Sequence, residues 1–210
     1  MDKEKENPKR KALRLTNYDY NTAGAYFVTI CTQDRKRILS EVLKPQIAPI
    51  DEFQILDTVG DGALDVPLNA LYEITKIRLT STGRIIEKYL LSSENIPGVK
   101  IDRYVIMPDH IHAIIFLDPN KYASRKCDTS KPNINGTSKA PSPTINKMLP
   151  HVISTFKRFC NKEIGHNIFQ RSYIEHIIRD KADYDTRIKY IFENPLRWYY
   201  KHLYKEEQNI

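Results

Sequence analysis

Two histidines separated by one residue interrupt the apolar run MPDHIHAIIF at positions 107–116. Side chains alternate between the two faces of a β-strand, so His110 and His112 would point to the same face. Two imidazoles that converge can bind one transition-metal ion. The pair could equally be satisfied by backbone or solvent groups, so two interpretations are open. A catalytic metal site also needs a further ligand and an open position for substrate.

The candidate third ligand lies in the segment YIFENP at positions 190–195. Tyr190 and Asn194 are four residues apart and therefore share a face if this segment is helical. A helix lying across the histidine strand would bring a phenol oxygen and an amide carbonyl to the same place. Alternatively, Tyr190 packs in the core and Asn194 caps the helix before Pro195.

The elements that must position these residues follow from hydrophobic periodicity and from turn residues. The pattern predicts strands at 25–33, 71–80, 99–108, 110–118 and 168–180. It also predicts a basic turn that leads into a short second strand in DRKRILSEV (34–42). It predicts helices starting at a Ser81 or Thr82 cap, ending at Gly165, and running over 182–195 between an Asp183 cap and Pro195. With insertions removed the order is β-α-β-β-α-β, which predicts an α+β, ferredoxin-like split βαβ antiparallel sheet.

The remaining segments predict one domain over residues 1–210 with several appendages. Residues 1–24 are polar and basic and indicate an arm. Residues 43–70 and 119–143 lack a clear period and indicate insertions, the second of them a mobile loop. Residues 182–205 are expected to form C-terminal helices that carry the candidate tyrosine.

Composition favours a polyanionic partner and a reduced, cytoplasmic location. The net charge is +7 and there are thirteen tyrosines, and aromatic residues beside basic ones can stack on single-stranded nucleic acid. No apolar run approaches the roughly 20 residues that span a bilayer. The charged N-terminus has no signal-peptide pattern, and the three cysteines are widely spaced. No membrane partner is expected.

The histidine pair and its surroundings resemble a known family. His110-Ile111-His112 resembles the HUH motif, and MPDHIHAII is similar to that motif's setting in the single-tyrosine transposases of insertion sequences. The resemblance is closest to the REP-associated tyrosine transposase branch. The matching blocks are GAYFVTICTQDRK (24–36), DRYVIMPDHIHAIIF (102–116), FQRSYIEHIIRD (169–180) and YIFENP (190–195).

The resemblance implies an enzyme that cleaves and rejoins single-stranded DNA at hairpin or palindromic sites through a 5′-phosphotyrosine. His110, His112 and Asn194 would be ligands of Mg²⁺ or Mn²⁺, and Tyr190 would be the nucleophile. The insertion-sequence enzymes usually have glutamine where Asn194 stands, which favours the REP-associated branch. Competing tyrosines lie nearby at Tyr173, Tyr184, Tyr199 and Tyr200. The family implies a monomer or homodimer associated with the nucleoid.

Basic residues could hold DNA phosphates, although each taken singly could simply be solvated. The candidates are Arg14, Arg35, Arg37, Lys157, Arg158 and Arg171. Glu175 and His176 are candidates for a supporting role around the metal ligands. Two further functions are open: a non-catalytic nucleic-acid-binding relative on the same fold, and a small-molecule metalloenzyme. The second leaves the basic charge and the matching blocks unexplained.

Overall fold

The computed structural model describes residues 23–45, 76–124 and 148–204. The predicted basic arm, including Arg14, lies outside these ranges except for residues 23–24. The same is true of the predicted 43–70 insertion except residues 43–45, and of the predicted 119–143 loop except residues 119–124.

Six strands and four helices are formed by the described residues. The strands are β1 (Gly24–Cys31), β2 (Ser40–Val42), β3 (Ile77–Leu79), β4 (Val99–Ile106), β5 (His110–Leu117) and β6 (Ile174–Ile178). The helices are α1 (Ser81–Ser92), α2 (Pro119–Ser124), α3 (Met148–Ile164) and α4 (Lys181–Tyr199). Short 3₁₀ turns cover Gln33–Arg35 and Ser93–Asn95, and a π-helical turn covers Tyr200–Tyr204. None of the helices in these ranges is both long and apolar enough to cross a membrane.

The main sheet has the strand order β4-β5-β1-β6, and every neighbouring pair in it is antiparallel. Strands β2 and β3 form a separate two-stranded ribbon. Without that ribbon and α2, the chain order is β1-α1-β4-β5-α3-β6. This is the β-α-β-β-α-β order of the split βαβ plan, so the predicted α+β, ferredoxin-like fold is confirmed.

Helices cover both faces of this sheet. On one face Val28, Ile30 and Ile115 pack in the core cluster that contains the buried residues of α1 and α3. On the other face Phe27 and Ile114 join a second cluster that contains the apolar residues of α4. Because side chains alternate along β5, His110 and His112 share the face of Ile114, which is the face beneath α4.

Two helices begin one to three residues earlier than predicted. Thr80, rather than Ser81 or Thr82, caps α1, since its hydroxyl accepts a hydrogen bond from the Gly83 amide at 3.0 Å. Asp180, rather than Asp183, caps α4 through the Asp183 amide at 2.8 Å. In both cases the cap stands just outside the amphipathic pattern, where its backbone is extended and its side-chain oxygen accepts from an otherwise unpaired helix amide.

The prediction that Pro195 ends the last long helix was wrong. Helix α4 runs through Pro195 to Tyr199 and continues into the π-helical turn. A proline inside a helix removes one backbone hydrogen bond, at a cost of about 3 kcal/mol. Leu196, Trp198 and Tyr199 are all buried in the core beneath α4, and burial of three large side chains offsets that cost.

Two further predictions need correction in extent. The strand predicted over 168–180 is interrupted, because only β6 pairs with β1, while Phe169 makes an isolated bridge to Thr32 just after β1. The Lys157 ammonium occupies the break, donating to the carbonyls of Gln170 at 2.8 Å and Ser172 at 3.2 Å. The segment predicted as a loop from residue 119 begins with the short helix α2.

Candidate active site

The two histidines of β5 form one compact pair between the sheet and α4. Their ring centroids are 4.6 Å apart, at an interplanar angle of 75°. Both are almost fully buried, with 6% of His110 and 4% of His112 exposed. The strand register places His112 opposite Thr29 of β1 and His110 opposite Cys31.

One nitrogen of His112 is bonded and the other is not. Its Nδ1 lies 2.8 Å from the Thr29 hydroxyl. Its Nε2 is buried and has no hydrogen-bond partner among the described residues. Burial, assisted by the charges of His110 and Arg35, lowers the pKa of His112 to about 3. The ring is therefore neutral near pH 7, and a proton on Nδ1 donated to Thr29 leaves Nε2 with an unused lone pair.

His110 is oriented by the residue before it. Its Nδ1 lies 2.5 Å from Oδ1 of the buried Asp109, and Oδ2 of Asp109 lies 3.3 Å from Nε of Arg35. Burial alone would raise the pKa of Asp109, but the hydrogen bond to His110 and the charges of His110 and Arg35 lower it overall. A carboxylate on one imidazole nitrogen directs the other nitrogen outward as a ligand.

Tyr190 of α4 lies directly against this pair. Its ring centroid is 5.1 Å from that of His112 and 5.9 Å from that of Phe27, edge-on to both. Phe27 in turn stacks on His112 at 5.2 Å. The Tyr190 side chain is 36% exposed, and its hydroxyl has no hydrogen-bond partner among the described residues. The phenol is thus fixed by its ring while its oxygen is accessible.

Asn194 lies one helical turn after Tyr190 and one turn before Trp198. The Trp198 ring is 5.9 Å from that of His110. Because Tyr190 and Trp198 both contact the histidine pair, the helix face between them, which carries Asn194, also faces the pair. Asn194 is 7% exposed and its side chain makes no hydrogen bond with the described residues.

These donors fit a divalent ion. A buried ring nitrogen with no partner is costly, and a bound cation would satisfy it. Within residues 23–45, 76–124 and 148–204, no group of three His, Cys, Asp and Glu side chains could hold a metal. A third protein ligand would therefore be of another type, and the amide oxygen of Asn194 is the suitable one on this face.

The competing tyrosines are in different surroundings. The Tyr184 hydroxyl donates to Asp102 at 2.6 Å, and this bond, with burial, raises its pKa. Tyr199 and Tyr200 are buried in the core beneath α4. Tyr173 packs against the core on the opposite face of the sheet. Of these five tyrosines, Tyr190 is the one whose ring contacts a histidine of the pair.

The predicted basic residues do not form one group. Arg35 is bonded to Asp109 beside His110, and Arg37 lies over the Trp198 ring at 5.4 Å. These two therefore lie at the His110 end of the site. Arg158 and Lys157 are on α3, which packs on the opposite face of the sheet.

Lys157 and Arg171 lie together at the bend before β6. The ammonium of Lys157 is bonded to backbone carbonyls, including that of Arg171 at 3.5 Å, and burial lowers its pKa. A DNA phosphate would have to displace these carbonyls. Arg171 lies in the same bent segment, between Phe169 and β6.

The two predicted supporting residues lie on opposite faces of β6. His176 is opposite Phe27 in the register and shares the face of the histidine pair. Its Nε2 is 2.7 Å from Oδ2 of Asp183 on α4. Glu175 is opposite Val28, whose side chain belongs to the core on the other face, so alternation turns Glu175 away from the site.

Several residues of the site were not predicted. Asp109 stands directly before His110, so a search for a carboxylate partner of the histidine could have found it. Thr29, Phe27 and Arg187 reach the site only through strand register and helix packing. Nothing in the local sequence pattern of these three distinguishes them from ordinary strand and helix residues.

The fold and the site combine in one arrangement. A ferredoxin-like sheet carries a histidine pair on a central strand, and a C-terminal helix lays one tyrosine against it. No protein-family model matches the chain.

Two curated proteins of Haemophilus influenzae (strain Rd) are similar over nearly the whole chain. One, an "Uncharacterized protein", is 28% identical over 206 residues, covering 93% of each chain. The other, a "Putative REP-associated tyrosine transposase", is 29% identical over 197 residues, covering 91% of this chain and 82% of that one. This second relative confirms the resemblance to the REP-associated tyrosine transposases.

A solved structure of a REP-associated tyrosine transposase bound to a REP hairpin is a more distant likeness. It superposes with a TM-score of 0.45 and 17% identity, over 88% of this chain and 73% of that one.

Proposed function

We propose that this chain is a single-domain HUH transposase or nickase that cleaves and rejoins single-stranded DNA through a 5′-phosphotyrosine. The observation that carries the proposal is the contact between Tyr190 and the buried histidine pair, 5.1 Å from ring to ring at His112. An accessible phenol oxygen beside two imidazoles is suited to attack on a phosphate held at the same point.

In the proposed reaction the Tyr190 oxygen forms a bond to phosphorus and the bond from phosphorus to the 3′-oxygen breaks. The phenol gives up its proton and the departing 3′-hydroxyl takes one up. A 3′-hydroxyl can later attack the phosphotyrosine and release Tyr190, so rejoining needs no external energy source. The ring contacts with His112 and Phe27 fix the phenol for this attack.

We propose His110, His112 and Asn194 as the ligands of Mg²⁺ or Mn²⁺. When bound, such an ion would polarise the scissile phosphate and neutralise the charge that develops on it. The protein's own part is to orient both imidazoles, through Thr29 on His112 and Asp109 on His110, and to keep His112 neutral by burial. Asn194 contributes an uncharged oxygen, which suits a hard cation.

The proposed substrate is single-stranded DNA next to a hairpin or palindrome. A net charge of +7 supports a polyanionic partner. Arg35 and Arg37 lie at the His110 end of the site, where they could receive the DNA backbone. We further propose that the protein acts as a monomer or homodimer and associates with the nucleoid through this DNA.

The proposal is tested by covalent capture. The purified protein is incubated with Mn²⁺ and labelled single-stranded oligonucleotides taken from palindromes flanking its gene, and protein–DNA adducts are resolved on a denaturing gel. We expect an adduct from the wild type and none from Tyr190→Phe or His112→Ala. Tyr184→Phe is the matched control and should still form it. DNA binding without an adduct under any metal would instead favour the non-catalytic relative.

A further inference from the structure

An arginine beside Tyr190 has no part in the chemistry described above. Arg187 precedes Tyr190 by three residues on α4, so the two side chains are neighbours on the helix surface. Its guanidinium carbon lies 5.7 Å from the centre of the Phe27 ring. That same ring stacks on His112 and meets the edge of Tyr190. The guanidinium is therefore separated from the phenol and the imidazole by a single ring.

One edge of the guanidinium is anchored. Its Nε donates to Oδ1 of Asp183 at 3.0 Å. Oδ2 of Asp183 is 2.7 Å from Nε2 of His176. Burial alone would raise the pKa of Asp183, but the hydrogen bonds from His176 and Arg187 lower it overall. Asp183 is thus a carboxylate near pH 7, and it restrains both the Arg187 and the His176 side chain.

The terminal nitrogens of the guanidinium lack a good acceptor. Nη2 of Arg187 lies 3.3 Å from Nε2 of His176. Two acceptors cannot approach to 2.7 Å without a proton between them, so His176 Nε2 must carry the proton that it donates to Asp183. A protonated nitrogen has no lone pair for Arg187. The terminal N–H groups of a side chain that is 30% exposed are consequently available to an outside acceptor.

We propose that Arg187 is a positioning residue that binds a backbone phosphate of the single-stranded DNA within one nucleotide of the cleavage point. The inference rests on the proposed function. Guanidinium groups present paired N–H donors that match phosphate oxygens. The anchoring of Nε by Asp183 and the contact with Phe27 hold this donor edge in place before DNA arrives, which reduces the entropy lost on binding.

The same helix supplies a matched control. Arg197 is 32% exposed and is bonded through Nε and Nη2 to Glu193 four residues earlier, at 3.1 and 2.8 Å. Arg187 has the same spacing from Asp183 and the same type of partner. Arg197→Gln therefore removes one charge and one ion pair of α4 without touching the ring of Phe27.

The test is a binding measurement on DNA in which one phosphate at a time is made neutral. The probe is a fluorescent stem-loop oligonucleotide with a single-stranded flank, taken from the palindromes beside the gene. A series carries a single methylphosphonate at each position near the cleavage point. All proteins carry Tyr190→Phe so that no cleavage occurs, and affinity is read by fluorescence anisotropy.

We expect Arg187→Gln to weaken binding of the unmodified DNA by about tenfold to a hundredfold, as for a charge-assisted hydrogen bond. The slope of log affinity against log salt should fall by about 0.7, the value for one phosphate of a single strand. At one methylphosphonate position, the DNA affinity of the protein that carries only Tyr190→Phe should fall by a similar factor. At that same position, adding Arg187→Gln should cause no further loss of affinity. For Arg197→Gln, no methylphosphonate position should show this absence of a further loss.

An equal loss for Arg187→Gln and Arg197→Gln, or the same loss at every methylphosphonate position, would overturn the inference, because a merely structural role predicts that result. If Arg187→Gln does not fold, Arg187→Lys keeps the charge and serves instead. Arg187→Lys should show a smaller loss of DNA affinity, and this loss should vanish at the same single methylphosphonate position. A loss of affinity that is the same at every position would again refute phosphate binding.

The two proposals fail separately. A wild-type protein that binds the DNA but forms no adduct with Mn²⁺ refutes cleavage and leaves the phosphate test in force. Adduct formation without a phosphate specific to Arg187 refutes only the role of Arg187. A wild type that does not bind single-stranded DNA refutes both.

Discussion

The buried, neutral state of His112 has a measurable consequence for stability. Folding lowers its pKa from 6.5 to about 3, chiefly by burial. Above pH 6.5 neither the folded nor the unfolded chain is protonated there, so this group has no effect. As the pH falls below 6.5, His112 binds a proton in the unfolded chain but not in the folded chain. Stability is therefore lost on acidification, through the window between 6.5 and about 3.

The magnitude follows from that shift. Each pH unit inside the window costs about 1.4 kcal/mol, so lowering the pH from 7 to 5 should cost about 2 kcal/mol of unfolding free energy. That is a large share of the roughly 5–15 kcal/mol available to a domain. The carboxylates with lowered pKa, Asp109, Glu163 and Asp183, contribute their losses mainly below about pH 4.5, outside this interval.

The assay is urea unfolding at pH 7 and pH 5 in the presence of a chelator. We expect the wild type to lose about 2 kcal/mol between the two conditions and His112→Gln to lose much less. His166→Gln replaces an exposed histidine outside the site and should behave as the wild type does. An equal acid loss in the wild type and His112→Gln would refute the assignment of His112 as a buried, neutral imidazole.

Three further outcomes are expected. Asp109→Asn removes the carboxylate that orients His110 and should weaken Mn²⁺ binding about tenfold to a hundredfold by titration calorimetry; a change below twofold would contradict that role. Lys157→Met should lower the unfolding free energy by about 1–3 kcal/mol while leaving the salt dependence of DNA binding unchanged, because its ammonium is bonded to carbonyls. A smaller slope of log affinity against log salt for Lys157→Met would instead indicate that Lys157 contacts a DNA phosphate. Gly83→Ala would place a Cβ 2.0 Å from the Leu39 carbonyl oxygen, so the melting temperature should fall clearly; an unchanged value would show that the α1 contact relaxes freely.

Much of the framework was predictable because it depends on local patterns. Side chains alternate in direction along a strand, so a strand over residues 110–118 was enough to predict that both histidines share one face. The strand is observed at His110–Leu117. The spacing of Tyr190 and Asn194 on a helix was likewise local. Cap positions were missed by one to three residues because Thr80 and Asp180 precede the apolar periodicity that marks a helix.

The failures share a physical cause, which is that tertiary contacts outweigh local preference. Pro195 normally ends a helix, yet burial of the residues after it keeps α4 continuous. Lys157 was a candidate for binding DNA phosphates, and the bend before β6, which local sequence does not specify, supplies carbonyls for its ammonium. The partners of His112 and Arg187, namely Thr29 and Phe27, depend on strand register, which no short stretch of sequence specifies.

The measurement that tests the central claim most directly is mass spectrometry of the trapped protein–DNA adduct. Protein reacted with a single-stranded stem-loop oligonucleotide and Mn²⁺ is digested with nuclease and protease, and the modified peptide is sequenced. We expect a 5′-linked nucleotide on Tyr190, in the peptide that contains YIFENP. A nucleotide attached to Tyr184 or to another tyrosine, or no modified tyrosine at all, would contradict it.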